Sequence, residues 1–517
     1  MRVLVLGIDG MTFRVLDPLI EKGYLPNFKS LKEEGSWGIL ESTIPPVTGP
    51  AWMTMATGLP TSSHGVFGFW DYTADMQPRM VTRRKAGKAI WEILSEAGKK
   101  VCVINVPLTY PPDPVNGLMI SGFTTPSLDA PFVYPKDFQA RLFEISPHYV
   151  IDVADPVLRF DKEKFLSFIV SMSQARYALV EHFLDQKRDV WDFMFVVFVG
   201  PDRIQHVLWE ELQNHDPAVV EYYTLLDRLV GQIVDKLDQN DLLFIVSDHG
   251  FKGIEHVFFL DQWLYEQGFI NVKKDKGYYG TVLKKRMASF LSRIGLETIR
   301  QTVSKYVSRN RDLWSMVIGG GIDPYVDVKH SLAFGIDAAS GSHIRVWVED
   351  EQVQKQVVGQ IGNDLPHLAT YLEVLPETVW GEGAYHLANN MLLRLLDSYM
   401  FSTGLSFDRA IYQLPKIQGI HAMDGVFMAY GRDIVPGMLK EAVSIFDITP
   451  TITHCFGLPV ESTWPGEARR DITRNDQAIR IRDSHTGAVY SLEDGLQQRS
   501  KTALLLRKLL AQGDEDA

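Results

Sequence analysis

Residues 242–251 read LLFIVSDHGF. A run of apolar, β-prone residues stops abruptly at an acid and a histidine. A strand that is apolar at every position is buried on both faces, as inside a parallel sheet covered by helices. The same form recurs along the chain. VLVLGI (3–8) is followed by Asp9, VCVINV spans 101–106, and FMFVVFV (193–199) runs into GPDRIQHVLW. Segments of helical spacing separate these runs: KAIWEILSEAGKK, with Gly98 as its C-cap, precedes VCVINV, and YTLLDRLVGQIVDKL precedes LLFIVS. HIRVWV (343–348) and GVFMAYG (425–431) read as later strands. The alternation predicts an α/β fold with a doubly wound, mostly parallel central sheet flanked by helices. Polar groups at the C-terminal ends of such strands are where ligands bind.

Composition narrows the field. The net charge of −12 makes the whole chain a poor binder of nucleic acid or anionic membranes, so no specific nucleic acid partner is expected. Only two cysteines are present, Cys102 and Cys455, each in an apolar run, which excludes a disulfide framework. MRVLVLGIDG reads as a first strand rather than a secretory signal, and no apolar run reaches membrane-spanning length. A cytoplasmic protein is the expectation. A discontinuous catalytic core is expected over 1–265 and 331–470, with an inserted basic helical cap at 266–330. Residues 471–517 form a C-terminal extension with an acidic tail, GDEDA. Within the cap, Lys273 to Arg311 holds eleven basic and two acidic residues. Such a segment would gather an anionic substrate, touch an anionic membrane surface, or form a solvated lid face.

Acids and histidines collect at the strand ends. They are Asp9 in GIDG, Asp202 and His206 in GPDRIQHVLW, Asp248 and His249 in SDHGF, and His421 in GIHAMDG. Asp202 and His206 are four apart and project the same way from a helical turn. Three aspartates and three histidines exceed what capping needs. They offer oxygen and nitrogen donors without thiolate, a set suited to two divalent ions, zinc first, with manganese and iron also accommodated. The stretch PPVTGPAW (45–52) then gains a purpose. Proline and glycine stiffen a turn around Thr48, whose hydroxyl becomes a competent nucleophile only beside a Lewis acid. A helix starting at Pro50 would turn N–H groups near Gly49 toward an anion. The plain alternative is that Thr48 only caps that helix.

These motifs, in the order GIDG, PPVTGPAW with TGLPTSSHG, PDRIQHVLW, SDHGF and GIHAMDG, resemble the type I phosphodiesterase/nucleotide pyrophosphatase branch of the alkaline phosphatase superfamily. VINVPLTYPP and DITPTITHCFGLP add to the resemblance. It implies an alkaline-phosphatase-like core with two zinc ions, one held by Asp202, His206 and His421, the other by Asp9, Asp248 and His249. It implies in-line attack by Thr48 and a phosphothreonine intermediate, on a small-molecule phosphoester. One departure stands out. Members of that branch place an asparagine for a phosphate oxygen where this chain has Phe69, which leaves that oxygen to the Gly49 N–H or another group and makes Phe69 a wall of the pocket or a packing residue. The alternatives are a phosphomonoesterase of the same superfamily, or a zinc-containing binding protein on its fold.

Overall fold

The computed structural model describes residues 1–73, 76–153, 156–186, 190–275, 277–280, 282–283, 322–337, 340–366, 372–375, 390–395, 398–406, 408–474, 478–484 and 486–491. The basic segment is therefore mostly outside the described residues, as is the acidic tail.

The continuously apolar runs form the centre of a ten-stranded sheet. Its order is Gly437–Met438, Ser36–Glu41, Asp424–Tyr430, Leu242–Val246, Val3–Ile8, Phe193–Phe198, Val101–Ile104, Gly117–Ile120, Val133–Tyr134, with Val443–Ser444 also paired to Ser36–Glu41. The sheet is mixed but mostly parallel: only Asp424–Tyr430 and Val133–Tyr134 run against the rest. Every residue of Val3–Ile8, Phe193–Phe198 and Leu242–Val246 is buried, which is why none of these strands alternates polar with apolar. Two groups of helices cover the faces. Pro26–Glu34, Lys162–Leu184, Gly200–Gln213 and Pro217–Asp235 pack together, and so do Thr48–Thr57, Ile90–Glu96 and Ile448–Cys455. The second group comes very close to the sheet. A Cβ on Gly7 would lie 2.5 Å from Trp52 Cη2 and 2.9 Å from Val197 Cγ2, so only glycine lets Trp52 lie over the opening strand.

A second hydrophobic core lies beside the first. Ala333–Asp337, His343–Val348, Leu372–Leu375 and Asn390–Leu395 form an antiparallel sheet. Helix Glu351–Asp364 buries Val353, Val357 and Ile361, at i, i+4 and i+8, in this core. The sequence pattern assigned 331–470 to the catalytic core, and HIRVWV looked like its neighbours. The structure pairs His343–Val348 in a separate four-stranded sheet, whose core it shares with Phe258, Trp263 and Phe401 from outside that sheet; a short apolar run does not encode which sheet it joins. A three-stranded sheet of Tyr399–Ser402, Gly250–Phe259 and Ile411–Ala422 links the two parts. Among the described residues, no helix is long and apolar enough to cross a membrane.

Candidate active site

Three adjacent parallel strands, Leu242–Val246, Val3–Ile8 and Phe193–Phe198, end side by side. Their C-terminal edge therefore sets Asp248, Asp9 and Asp202 together. Asp202 and His206 lie one turn apart on helix Gly200–Gln213, which starts directly after its strand. His421 arrives from the other sheet: it stands opposite Phe251 in the antiparallel pairing of Ile411–Ala422 with Gly250–Phe259. Asp9, Asp202, Asp248 and His249 are wholly buried, and Thr48 and His421 nearly so. His206 keeps 29% of its side chain exposed and marks the open side.

The donor atoms converge. His249 Nε2 lies 3.3 Å from Asp248 Oδ2, 3.7 Å from Asp9 Oδ1 and 3.9 Å from Asp202 Oδ1. His206 Nε2 lies 2.9 Å from His421 Nε2, and both are 3.4 Å from Asp202 Oδ1. The resemblance implied two separate triads. The structure puts His249 within reach of both, since Asp9, Asp248 and His249 form one group of mutually close donors and Asp202, His249 and His421 another. The His249 and His421 rings stack 3.7 Å apart, and the Phe251 ring packs against those of His206 and His421.

Each carboxylate has one oxygen tied and one left over. Trp52 Nε1 donates to Asp9 Oδ2 at 3.1 Å, the Gly10 N–H donates to Asp248 Oδ1 at 3.2 Å, and Arg203 Nη1 donates to Asp202 Oδ2. The other three oxygens, Asp9 Oδ1, Asp248 Oδ2 and Asp202 Oδ1, are buried without a hydrogen-bond partner. The histidines are oriented to match. His421 Nδ1 donates to the Pro46 carbonyl at 2.8 Å and His249 Nδ1 to the Gly250 carbonyl at 3.1 Å, which turns each Nε2 lone pair inward. Burial, then repulsion from Asp202, pushes the Asp9 carboxyl well above the usual range; burial, then Asp9 and Asp202, does the same to Asp248. Burial also raises Asp202, but His206 and Arg203 outweigh it and hold that carboxyl low. Burial lowers the pKa of both His249 and His421, which favours their neutral forms. Buried acids in mutual repulsion, with free oxygens facing neutral imidazole lone pairs, fit divalent cations.

Thr48 is the first residue of helix Thr48–Thr57, two positions before the expected start, and Val47 takes the N-cap. Thr48 is therefore not that helix's cap. Its Oγ1 lies 3.1 Å from His249 Nε2. The Gly49 N–H belongs to the first turn, where no intrahelical acceptor exists. A Cβ on Gly49 would meet Leu108 Cδ1 at 2.6 Å and Phe69 Cε1 at 3.4 Å. Phe69 is buried, edge-on to Phe123, so it backs the Thr48 turn within the packing. Sequence reasoning missed Trp52, Phe251, Arg203 and Asp152. Trp52, Phe251 and Arg203 lay inside quoted motifs, but nothing in those motifs distinguishes a ligand-holding side chain from a core one.

The sequence model of type I phosphodiesterase/nucleotide pyrophosphatase matches residues 3–321, more than half the chain. The chain belongs to this family. It is a phosphoester hydrolase, and the matched span contains every site residue named above except His421. Solved structures of similar fold include murine ectonucleotide pyrophosphatase/phosphodiesterase 5, 14% identical, covering 91% of this chain and 98% of that one at a TM-score of 0.52. The human form of that protein is also 14% identical, with coverage of 92% and 100% and a TM-score of 0.52. Phosphonoacetate hydrolase from Sinorhizobium meliloti 1021 is 15% identical, with coverage of 87% and 94% and a TM-score of 0.54. At these identities the likeness is one of fold. No curated protein matches the chain significantly.

Proposed function

We propose that this hydrolase cleaves phosphodiesters or pyrophosphates by in-line attack of Thr48, through a phosphothreonine intermediate. The observation that carries the proposal is the set of three buried carboxylates, each with one oxygen tied and one free beside a histidine Nε2. Asp9, Asp248 and His249 would hold one divalent cation and Asp202, His206 and His421 the other, zinc being the first choice for these donors. Bound there, the cations would supply Lewis-acid stabilisation of charge on the attacking and leaving oxygens.

The chain's own residues then divide the work. Thr48 Oγ1, held by the helix start, gives its proton to water on the open side of the site and bonds to phosphorus as the P–O bond to the leaving group breaks, the leaving oxygen departing as an alkoxide that takes a proton from water. The buried surroundings otherwise keep bulk water from the attacking oxygen. The Gly49 N–H is placed to donate to a non-bridging phosphate oxygen. Water then cleaves the phosphothreonine and restores Thr48. One neighbouring fold lends support: murine ectonucleotide pyrophosphatase/phosphodiesterase 5 has been solved as an inactive threonine-to-alanine form in complex with AMP. For this chain that favours a threonine nucleophile and a nucleotide-like phosphoester.

Phe69 supports a second reading. Its ring cannot hold a phosphate oxygen, so recognition shifts toward the cations and Gly49, which also suits a phosphomonoester. Turnover of bis-p-nitrophenyl phosphate and p-nitrophenyl phosphate by wild type and Thr48→Ala separates the readings. We expect a diester preference and a loss of at least about 10³-fold in the variant. A monoester preference establishes the second reading, and a folded Thr48→Ala of undiminished rate removes Thr48 as nucleophile.

A further inference from the structure

Among the described residues, Arg203 is the cation tied to a carboxylate of the cluster, and it is itself held in place. Its Nε donates to Asp152 Oδ1 at 3.0 Å and its Nη2 to Asp152 Oδ2 at 2.6 Å, a two-pronged fork, while Nη1 reaches Asp202 Oδ2. The pair is nearly closed to solvent, with side-chain exposures of 10% for Arg203 and 4% for Asp152. The Phe123 ring lies against the guanidinium, 5.2 Å from its centre.

Asp152 is fixed in turn by elements outside the cluster. Arg176, wholly buried on helix Lys162–Leu184, donates Nη2 to the carbonyls of Val150 and Ile151 at 3.2 and 3.0 Å. The Tyr149 hydroxyl donates to Asn105 Oδ1 at 3.1 Å, just past the end of strand Val101–Ile104, and the Tyr149 ring is parallel to that of Phe132. Residues 149–152 are thus pinned to a sheet strand and a helix before Asp152 meets Arg203.

We infer that Asp152 and Arg203 are positioning residues: Asp152 occupies the arginine fork so that Arg203 can hold only Oδ2 of Asp202, leaving Oδ1 for a cation. The inference rests on the two-cation reading above. The chemistry is a competition. An arginine beside a lone carboxylate takes both oxygens in a fork. Without Asp152, Arg203 would be free to grip Asp202 with two prongs and withdraw Oδ1 from the cation. Without Arg203, Asp202 Oδ2 would be buried unpaired and the carboxylate free to rotate. Asp152 sits 50 residues before Asp202 and is not part of any motif in the chain.

The test is cation affinity. Full-length protein stripped by a chelator is titrated with Zn²⁺ against a competing indicator, for wild type, Asp152→Asn, Arg203→Met, Arg203→Lys and the double variant, alongside metal-free unfolding midpoints. We expect two binding steps in the wild type. In Asp152→Asn and in Arg203→Met, one step should weaken by about 10–100-fold while the other holds. Arg203→Lys, which keeps the charge but loses the fork, should fall between. The double variant should be no weaker than Arg203→Met, because Asp152 acts through Arg203. Unchanged affinities in folded variants overturn the inference, and so does a uniform weakening of both steps together with a fall in the metal-free midpoint, which marks a merely structural role. A wild type that takes up no Zn²⁺ overturns the two-cation reading itself, so the two failures are distinguishable.

Discussion

Gly419→Ala tests the closeness of the two elements that bring His206 and His421 together. Strand Ile411–Ala422 crosses helix Gly200–Gln213 at Gly419, where an added Cβ would lie 2.3 Å from the Gln205 carbonyl oxygen and 3.0 Å from Trp209 Cε3. Carbon contacts are comfortable at about 3.5 Å, so strand and helix must part by about 1 Å. The obstacle is helix backbone, one residue from His206, and the strand reaches His421 two residues later. The overpacking should cost about 1–3 kcal/mol. A shift of that size also exceeds the tolerance of about 0.2 Å on metal–ligand distances. The 2.9 Å approach of the two Nε2 atoms would therefore be lost. Urea unfolding of the metal-free protein reads the first effect, and Zn²⁺ titration the second, with the weakening confined to one step. A variant within about 0.5 kcal/mol of wild type, with both steps intact, would refute the claim that this glycine sets the spacing.

The remaining predictions concern acid stability, helix propensity and the division of donors. Burial, aided by the Arg84 charge, lowers the His64 pKa to about 3, and its neutral ring bridges Thr54 Oγ1 and the Val66 N–H. The unfolded chain takes up a proton below its ordinary pKa that the fold refuses, so stability falls with pH, by about 2 kcal/mol from pH 7 to pH 5. His64→Gln should flatten the decline in unfolding free energy by that amount; an unchanged slope contradicts the assignment. Gly359 is exposed in helix Glu351–Asp364, and a methyl added there would meet no atom within 4 Å. Gly359→Ala should therefore stabilise by about 0.5–1 kcal/mol in urea unfolding, and a loss would show a hidden constraint. Finally, His206 Nε2 stands 3.4 Å from Asp202 Oδ1 and 2.9 Å from His421 Nε2, so His206→Ala should weaken one Zn²⁺ step and spare the other; equal weakening of both contradicts this division of the donors.

The unequal legibility of the site follows from how each residue is specified. Asp9, Asp202, Asp248 and His249 could be found because a strand buried on both faces leaves an unbroken apolar run, and the polar residue that ends the run must sit at the sheet edge. His206 followed from helical spacing alone. His421 was harder, since it reaches the cluster from a strand of another sheet, and only its motif drew attention. The residues that orient this cluster carry no such local signal. Trp52 reaches Asp9 only because Gly7, on the strand beneath, has no side chain. Asp152 reaches Asp202 through Arg203 only because Arg176 and Asn105 fix its segment. In each case the role arises from a contact between elements far apart in the chain, and local composition gives no hint of it. The same reasoning covers HIRVWV, legible as a strand but not as a member of the four-stranded sheet it joins: burial makes a strand apolar, but the partner strands decide the sheet. Which acids and histidines cluster is written in local pattern, while their orientation is written in topology, so under the two-cation reading substitutions in the residues that orient them should change cation affinity with little change in the motifs themselves.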